Sequence, residues 1–211
     1  LGWIACGLTA GLLVVVSGEM RQYDAQGQHL AKLAASAFSI LYVGGLLGFL
    51  VQLRLLPVGG DVSRGGMLAM LSMIVVVKAT DIGAFTAGHL WGRHKLAPTL
   101  SPGKTWEGVI GGLAFAVLWS WLSLGPIAGR FGIASKLSGA SWVAAAIGYG
   151  LVVGVAGVVG DLTESLLKRD AGVKDSSTWL PGFGGVLDVL DSLLVAAPVA
   201  YLFWVSGLLG F

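Results

Sequence analysis

Four ionisable residues interrupt otherwise apolar stretches of the chain: Lys78 and Asp81 in one, Asp188 and Asp191 in another. A charge at the centre of a bilayer costs about 2.5–3.5 kcal/mol on insertion scales, so each of these should face a polar cavity or a partner. Asp188 and Asp191 are spaced i, i+3 and share a helix face. Asp161 and Glu164 have the same spacing at the exit of the preceding apolar run. If those two helix ends meet, three or four carboxylates converge beside Lys168, Arg169 and Lys174. Such a cluster suits Mg²⁺, which takes one or two protein carboxylates together with substrate phosphates, while lysine and arginine neutralise the phosphates themselves. The competing account is a set of mutually satisfied ion pairs. Glu164 and Lys168, at i, i+4, fit that account as well as they fit a ligand site. Asp188 and Asp191 fit it poorly, having no cation within a helical turn in sequence.

Leu180-Pro181-Gly182-Phe183-Gly184-Gly185 immediately precedes the Asp-bearing run. Glycines at a helix start let backbone N–H groups approach a phosphate, and the helix N-terminus favours negative charge. Alone this turn is a weak signal. Gly103-Lys104-Thr105 resembles the end of a phosphate-binding P-loop, but the glycine required five residues before Gly103 is Pro98, which excludes that motif. A simpler phosphate-binding role for Lys104 stays open.

The elements that must position these groups are membrane helices. Of 211 residues, 55% are hydrophobic and 11% charged, against roughly 25% charged in soluble domains, and mean hydropathy is +0.84. These values exclude a soluble globule, a disordered tail and a nucleic-acid binder, and a net charge of +2 is too small for a polyanionic partner. The single cysteine, Cys6, excludes a disulfide framework. Apolar runs at 1–17, 33–53, 67–90, 108–124, 142–160 and 184–210 predict an all-α, polytopic transmembrane bundle of six helices. The runs are continuous, which argues against a β-barrel. Eight of the loop cations lie in the odd-numbered connections and four in the even-numbered ones, so the odd loops are expected on the cytoplasmic side. Glycine pairs at four-residue spacing, Gly44/Gly48, Gly108/Gly112 and Gly150/Gly154, predict close helix packing. The chain opens on Leu1 within an apolar run, without a signal-peptide pattern, which reads as a truncated start.

The order of motifs resembles the phosphatidate cytidylyltransferases, or CDP-diacylglycerol synthases. Their signature, S-x-x-K-R, four residues, K-D, five residues, P-G-H-G-G-x-x-D-R-x-D, is matched by Ser165, Lys168, Arg169, Lys174, Asp175, Pro181, Gly182, Gly184, Gly185, Asp188 and Asp191. A second similar stretch runs from Asp81-Ile82-Gly83-Ala84-Phe85 through Gly88, Gly92, Lys95-Leu96-Ala97-Pro98 and Ser101-Pro102-Gly103-Lys104-Thr105-Trp106-Glu107-Gly108. The resemblance covers roughly residues 75–200. It implies transfer of a cytidylyl group from CTP to phosphatidate, giving CDP-diacylglycerol and pyrophosphate at the cytoplasmic face of a bacterial inner membrane, with Mg²⁺ and a possible second, monovalent or divalent, cation. It implies Asp161 and Asp188 as metal ligands, with Asp191 a further ligand or a group supporting one, and a catalytic set of Asp188, Asp191, Lys168 and Asp175. Lys168, Arg169 and Lys174 would hold phosphates; Ser165, Gly184, Gly185, Lys104 and Asp81 would complete the substrate site. It further implies a homodimer, additional helices before this region, and a division into amino-terminal helices at 1–66 and a catalytic part at 67–211.

Two positions depart from the signature: the histidine of P-G-H-G-G is Phe183, and the arginine of D-R-x-D is Val189. The expected nucleophile is a phosphate oxygen whose second pKa is about 6, so it is ionised near neutrality without a base. Catalysis can then rest on positioning and on electrostatic stabilisation by metal and cations. A retained reaction is the expectation, over a degenerate homologue. The alternatives are a lipid cytidylyltransferase or lipid kinase with another acceptor, and an ion-coupled transporter. The last is disfavoured because no two halves of the sequence are alike and the polar residues gather at one face.

Overall fold

Two residues at loop–helix junctions start the helices that form one wall of the site. Asp61 Oδ1 accepts hydrogen bonds from the Ser63 and Arg64 N–H groups at 2.7 and 3.2 Å, and Thr105 Oγ1 accepts from the Gly108 N–H at 3.1 Å. Both satisfy amides that a helix start leaves without intrahelical partners. The computed structural model describes residues 2–24, 27–173, 176–177 and 185–211. Six helices there are long and apolar enough to cross a membrane: α1 (Gly2–Arg21), α2 (His29–Arg54), α3 (Val62–Trp91), α4 (Trp106–Arg130), α5 (Gly139–Asp170) and α6 (Val186–Val205). The chain is an integral membrane protein, all-α apart from one small hairpin, as its apolar runs predict.

The differences from the predicted spans lie at the ends. α5 continues ten residues past the expected limit at 160, so Asp161, Glu164, Ser165, Lys168 and Arg169 are helical and do not form a loop. Glu164 and Lys168 pair across one turn at 2.9 Å, which supports the extension beyond the apolar run. The helix stops at Gly172, whose φ of +68° is open to glycine at little cost. There the Val173 N–H reaches back to the Lys168 carbonyl at 2.9 Å. Two helices carry a π turn: Ile40–Gly45 in α2 and Ser123–Ile127 in α4, the latter around Pro126, which has no N–H to donate. The third connection, expected only as a polar loop between spans, is an antiparallel hairpin of β1 (Lys95–Ala97) and β2 (Ser101–Thr105), with Lys95 opposite Thr105. The Glu107 carboxylate ties it to α4 by accepting from the His94 N–H at 3.2 Å and meeting His94 Nδ1 at 2.6 Å.

Helix packing follows the small residues. A Cβ at Gly108 or Gly112 would lie 2.8 Å from the carbonyl oxygen of Ala84 or Thr80 respectively, so α3 and α4 approach as closely as backbones allow. At Gly160, a Cβ would lie 2.7 Å from the Asp191 carbonyl oxygen, which fixes α5 against α6 beside the acids. The core between α2, α3, α5 and α6 is built on Leu53, Leu68, Met73, Val76, Val77, Tyr149, Val153 and Trp204. Two of its buried hydroxyls are paired: Ser72 Oγ meets Tyr149 Oη at 2.9 Å, and Ser120 Oγ donates to the Ala146 carbonyl at 2.7 Å. α1 contributes no buried residue. Because consecutive long helices alternate direction, the C-terminal ends of α3 and α5 and the N-terminal ends of α4 and α6 lie at one end of the bundle.

Candidate active site

At that end a cavity of about 670 Å³ opens between α3, β2, α4, α5 and α6. Its walls carry five carboxylates, Asp81, Asp161, Glu164, Asp188 and Asp191, and three lysines, Lys78, Lys104 and Lys168. All four charges that interrupt the apolar runs therefore face this one space. Each helix contributes at its own spacing: Lys78 and Asp81 lie one turn apart on α3 and pair at 3.2 Å, and Asp161, Glu164 and Lys168 lie along one face of α5.

Lys168 is the hub. Its Nζ donates to Asp188 Oδ1 at 2.8 Å and meets Glu164 Oε2 at 2.9 Å, joining α5 to the first turn of α6. Asp188 is held from its other side as well: Oδ2 accepts from the Ser176 N–H at 3.0 Å, Ser176 Oγ at 2.6 Å and the Gly185 N–H at 2.6 Å. Sitting at the third position of α6, its carboxylate caps its own helix, where the N-terminal end favours negative charge. Lys104 projects from β2 and meets Asp161 Oδ2 at 2.7 Å, which links hairpin to helix. Asp191 is buried, with Oδ1 accepting from the Ser192 N–H and, at 3.0 Å, from Ser192 Oγ. Glu164 is 2% exposed.

The positions picked out in sequence thus divide. Asp81, Lys104, Asp161, Lys168, Asp188 and Asp191 line the cavity. Ser165 and Arg169, on the same helix, do not line it. The Gly185 N–H, expected at a substrate phosphate, is occupied by Asp188. Lys174, Asp175, Gly184 and the rest of the glycine turn, including Phe183, lie outside the described residues. Val189 is on α6, about a third exposed. Ser176 and Ser192, which orient the two aspartates of α6, were not picked out; single serines beside acids carry no spacing signal. Phe85 and His89, with rings stacked at 6.1 Å on the α3 wall, also escape a reading based on charge.

Among the described residues, no three acidic, histidine or cysteine side chains are grouped so as to hold a metal ion by themselves. Apart from the single imidazole of His89, the charged groups facing the cavity are carboxylates alternating with lysines. That set fits a hard cation sharing its coordination with substrate phosphates, as Mg²⁺ does, and it does not fit a softer metal that selects thiolate or imidazole.

The fold and the site together define a membrane helix bundle with a charged cavity at one end. The chain belongs to the cytidylyltransferase family, which it matches over residues 3–206. It is 49% identical to the phosphatidate cytidylyltransferase of Pseudomonas aeruginosa over 139 residues, which is 65% of this chain and 48% of the relative. To the phosphatidate cytidylyltransferase of Haemophilus influenzae it is 38% identical over 187 residues, 89% of this chain and 61% of the relative. The uncharacterized protein YnbB of Escherichia coli is 34% identical over 194 residues, 92% of this chain and 60% of that protein. The chain therefore spans about half to three-fifths of the length of these relatives.

Proposed function

We propose that the protein transfers the cytidylyl group of CTP to phosphatidate, forming CDP-diacylglycerol and pyrophosphate for phospholipid synthesis. The observation that carries this reading is the single cavity in which five carboxylates and three lysines meet at one end of a membrane bundle, in a chain of this family. A lipid phosphate and a nucleoside triphosphate both need cations, and one of the two substrates stays in the bilayer.

In the reaction, a phosphate oxygen of phosphatidate attacks the α-phosphorus of CTP. The new P–O bond forms as the α–β bond breaks, and pyrophosphate leaves with the electron pair. With a second pKa of about 6, the attacking phosphate needs no base near neutral pH. Asp161, Asp188 and Asp191 are the residues that would hold Mg²⁺, which supplies charge neutralisation for the phosphates when bound. Substrate phosphates would draw Lys104 and Lys168 partly away from Asp161 and Asp188, freeing carboxylate oxygens for the ion. The lysines then hold phosphate oxygens in place of carboxylates, so positioning and electrostatic stabilisation carry the rate. Lys174, Arg169 and Asp175 belong to the same reading through the sequence signature. So do a homodimer and an additional monovalent or divalent cation. Placement of the cavity at the cytoplasmic face of a bacterial inner membrane is supported by the excess of loop cations on that side.

The test is conversion of phosphatidate and CTP by membranes or detergent-purified protein. CDP-lipid should form with Mg²⁺ and stop when Mg²⁺ is chelated. Absence of product with phosphatidate, but presence with another lipid phosphate, would move the assignment to a related acceptor.

A further inference from the structure

Of the four charges that interrupt the apolar runs, Lys78 alone has no part in the proposed reaction. It lies in the middle of α3, thirteen residues before the helix end at Trp91, which is about 20 Å along the axis at 1.5 Å per residue. Lys168, by contrast, is two residues from the end of α5, and Lys104 stands on the hairpin just before α4 begins. All three line the same cavity. They differ in how far their ammonium groups are already engaged. The Lys104 side chain is 21% exposed and meets Asp161 at 2.7 Å; that of Lys168 is 22% exposed and meets two acids at 2.8 and 2.9 Å. The Lys78 side chain is 42% exposed, and the one acid it meets among the described residues, Asp81, stands at 3.2 Å and is itself open to the cavity. An ammonium has three N–H donors, so Lys78 is the cation of the three with most left to offer an incoming anion. The wall that carries it turns apolar toward the helix end. Lys78, Asp81, Phe85 and His89 follow one another at i, i+3, i+7 and i+11 along one face of α3, and all four line the cavity. Phe85, and Ile82 next to Asp81, are exposed, so in a membrane-crossing helix the edge beside the ammonium faces acyl chains.

We propose that Lys78 binds the phosphate monoester of the lipid substrate. The two phosphates of the reaction arrive by different routes. A nucleoside triphosphate comes from water, at the helix ends where Lys104 and Lys168 stand. A lipid phosphate is tied to chains that stay in the bilayer, and it needs a cation deep in the bundle beside an apolar outer edge. Lys78 meets both requirements. Its charge-assisted hydrogen bonds to the phosphate replace the single long contact with Asp81, while the acyl chains lie along Ile82 and Phe85. This role rests on the reading of the cavity as a cytidylyltransferase site, and it deepens that reading by giving the two substrates separate cations.

Lys78→Met removes the charge with little change in side-chain length. In mixed micelles KM for phosphatidate should rise at least tenfold, with KM for CTP within twofold and kcat within threefold. Lys78→Arg, which keeps the charge, should hold both KM values within threefold of wild type. Lys78→Met combined with Asp81→Asn leaves no unpaired charge behind, and KM for phosphatidate should stay raised even where the melting temperature returns to that of wild type. An unchanged KM for phosphatidate in Lys78→Met, an equal rise for CTP, or recovery in the double variant overturns the assignment. A second measurement needs no turnover. Dioctanoyl phosphatidate should raise the melting temperature of wild-type protein and of Lys78→Arg in detergent, and should not raise that of the double variant. Inorganic phosphate at the same concentration should have little effect on any of them. No shift with the lipid in wild type, an equal shift in the double variant, or an equal shift with inorganic phosphate overturns the lipid assignment. Should the wild-type protein make no CDP-lipid while the lipid shift depends on Lys78, the proposed reaction fails and the lipid-phosphate site stands.

Discussion

At the scale of single residues, one ammonium holds the acids of two helices. Lys168 meets Glu164 at 2.9 Å and Asp188 at 2.8 Å, and all three side chains are largely withdrawn from solvent. Breaking a buried pair by removing one partner costs about 3–5 kcal/mol because a charge is left uncompensated. Lys168→Ala should therefore lower the melting temperature and reduce turnover by at least 100-fold. Lys168→Met combined with Glu164→Gln should recover much of the melting temperature and none of the turnover, since the phosphate-binding charge is still missing. Recovery of both would make the lysine purely structural. Lys104, paired with Asp161 at 2.7 Å, sits on a hairpin and meets one acid among the described residues. Lys104→Ala should raise the KM of CTP or phosphatidate about tenfold with a smaller change in kcat; unchanged kinetics for both would confine it to setting topology. Phe183→His should change the rate by about tenfold or less, or roughly 1.4 kcal/mol, because the nucleophile is ionised without it. Activity appearing only in the Phe183→His, Val189→Arg double variant would mark the protein as a degenerate homologue.

At the scale of elements, what could be read in sequence tracks how local the cause is. Glu164 and Lys168 are one turn apart, so their pairing was open to a helical reading. The partner of Asp188 is 20 positions away on another helix, and no sequence spacing points to it. The length of α5 was missed for a related reason: hydropathy ends near 160, while the last ten residues are held by charge pairing and by the glycine stop at 172. The hairpin was missed because its strands are short and lack an alternating apolar pattern, and it is tied down by the Glu107 carboxylate across the connection. Gly108/Gly112 and Gly150/Gly154 were legible because four-residue spacing is itself the packing signal, whereas Gly44/Gly48 face only the side chains of Leu8 and Ile4. Gly160, outside those pairs, is the element-level test. A valine there must push α6 away from α5 at Asp191, with overpacking costs of about 1–3 kcal/mol. Gly160→Val should lose activity more than stability, whereas Gly129→Val, where nothing lies within 4 Å of the added carbon, should change neither. Equal effects at the two glycines would contradict the close approach.

For the whole molecule, alternation of the helices brings the ends of α3, α4, α5 and α6 that border the cavity to one side, and that side holds every charge found within the apolar runs. Charges that would be costly facing lipid instead face a cavity of about 670 Å³, where the proposed nucleotide and lipid phosphates would meet. The same architecture could serve phosphate transfer from a nucleotide to a lipid, so the bond broken in CTP is the decisive point. The direct measurement supplies membranes containing the protein with phosphatidate, Mg²⁺ and CTP labelled in one sample at the α-phosphorus and in another at the γ-phosphorus. The account predicts that label from the α position enters the lipid fraction and label from the γ position leaves as pyrophosphate. Label from the γ position in the lipid, or no label in lipid from either, would contradict it.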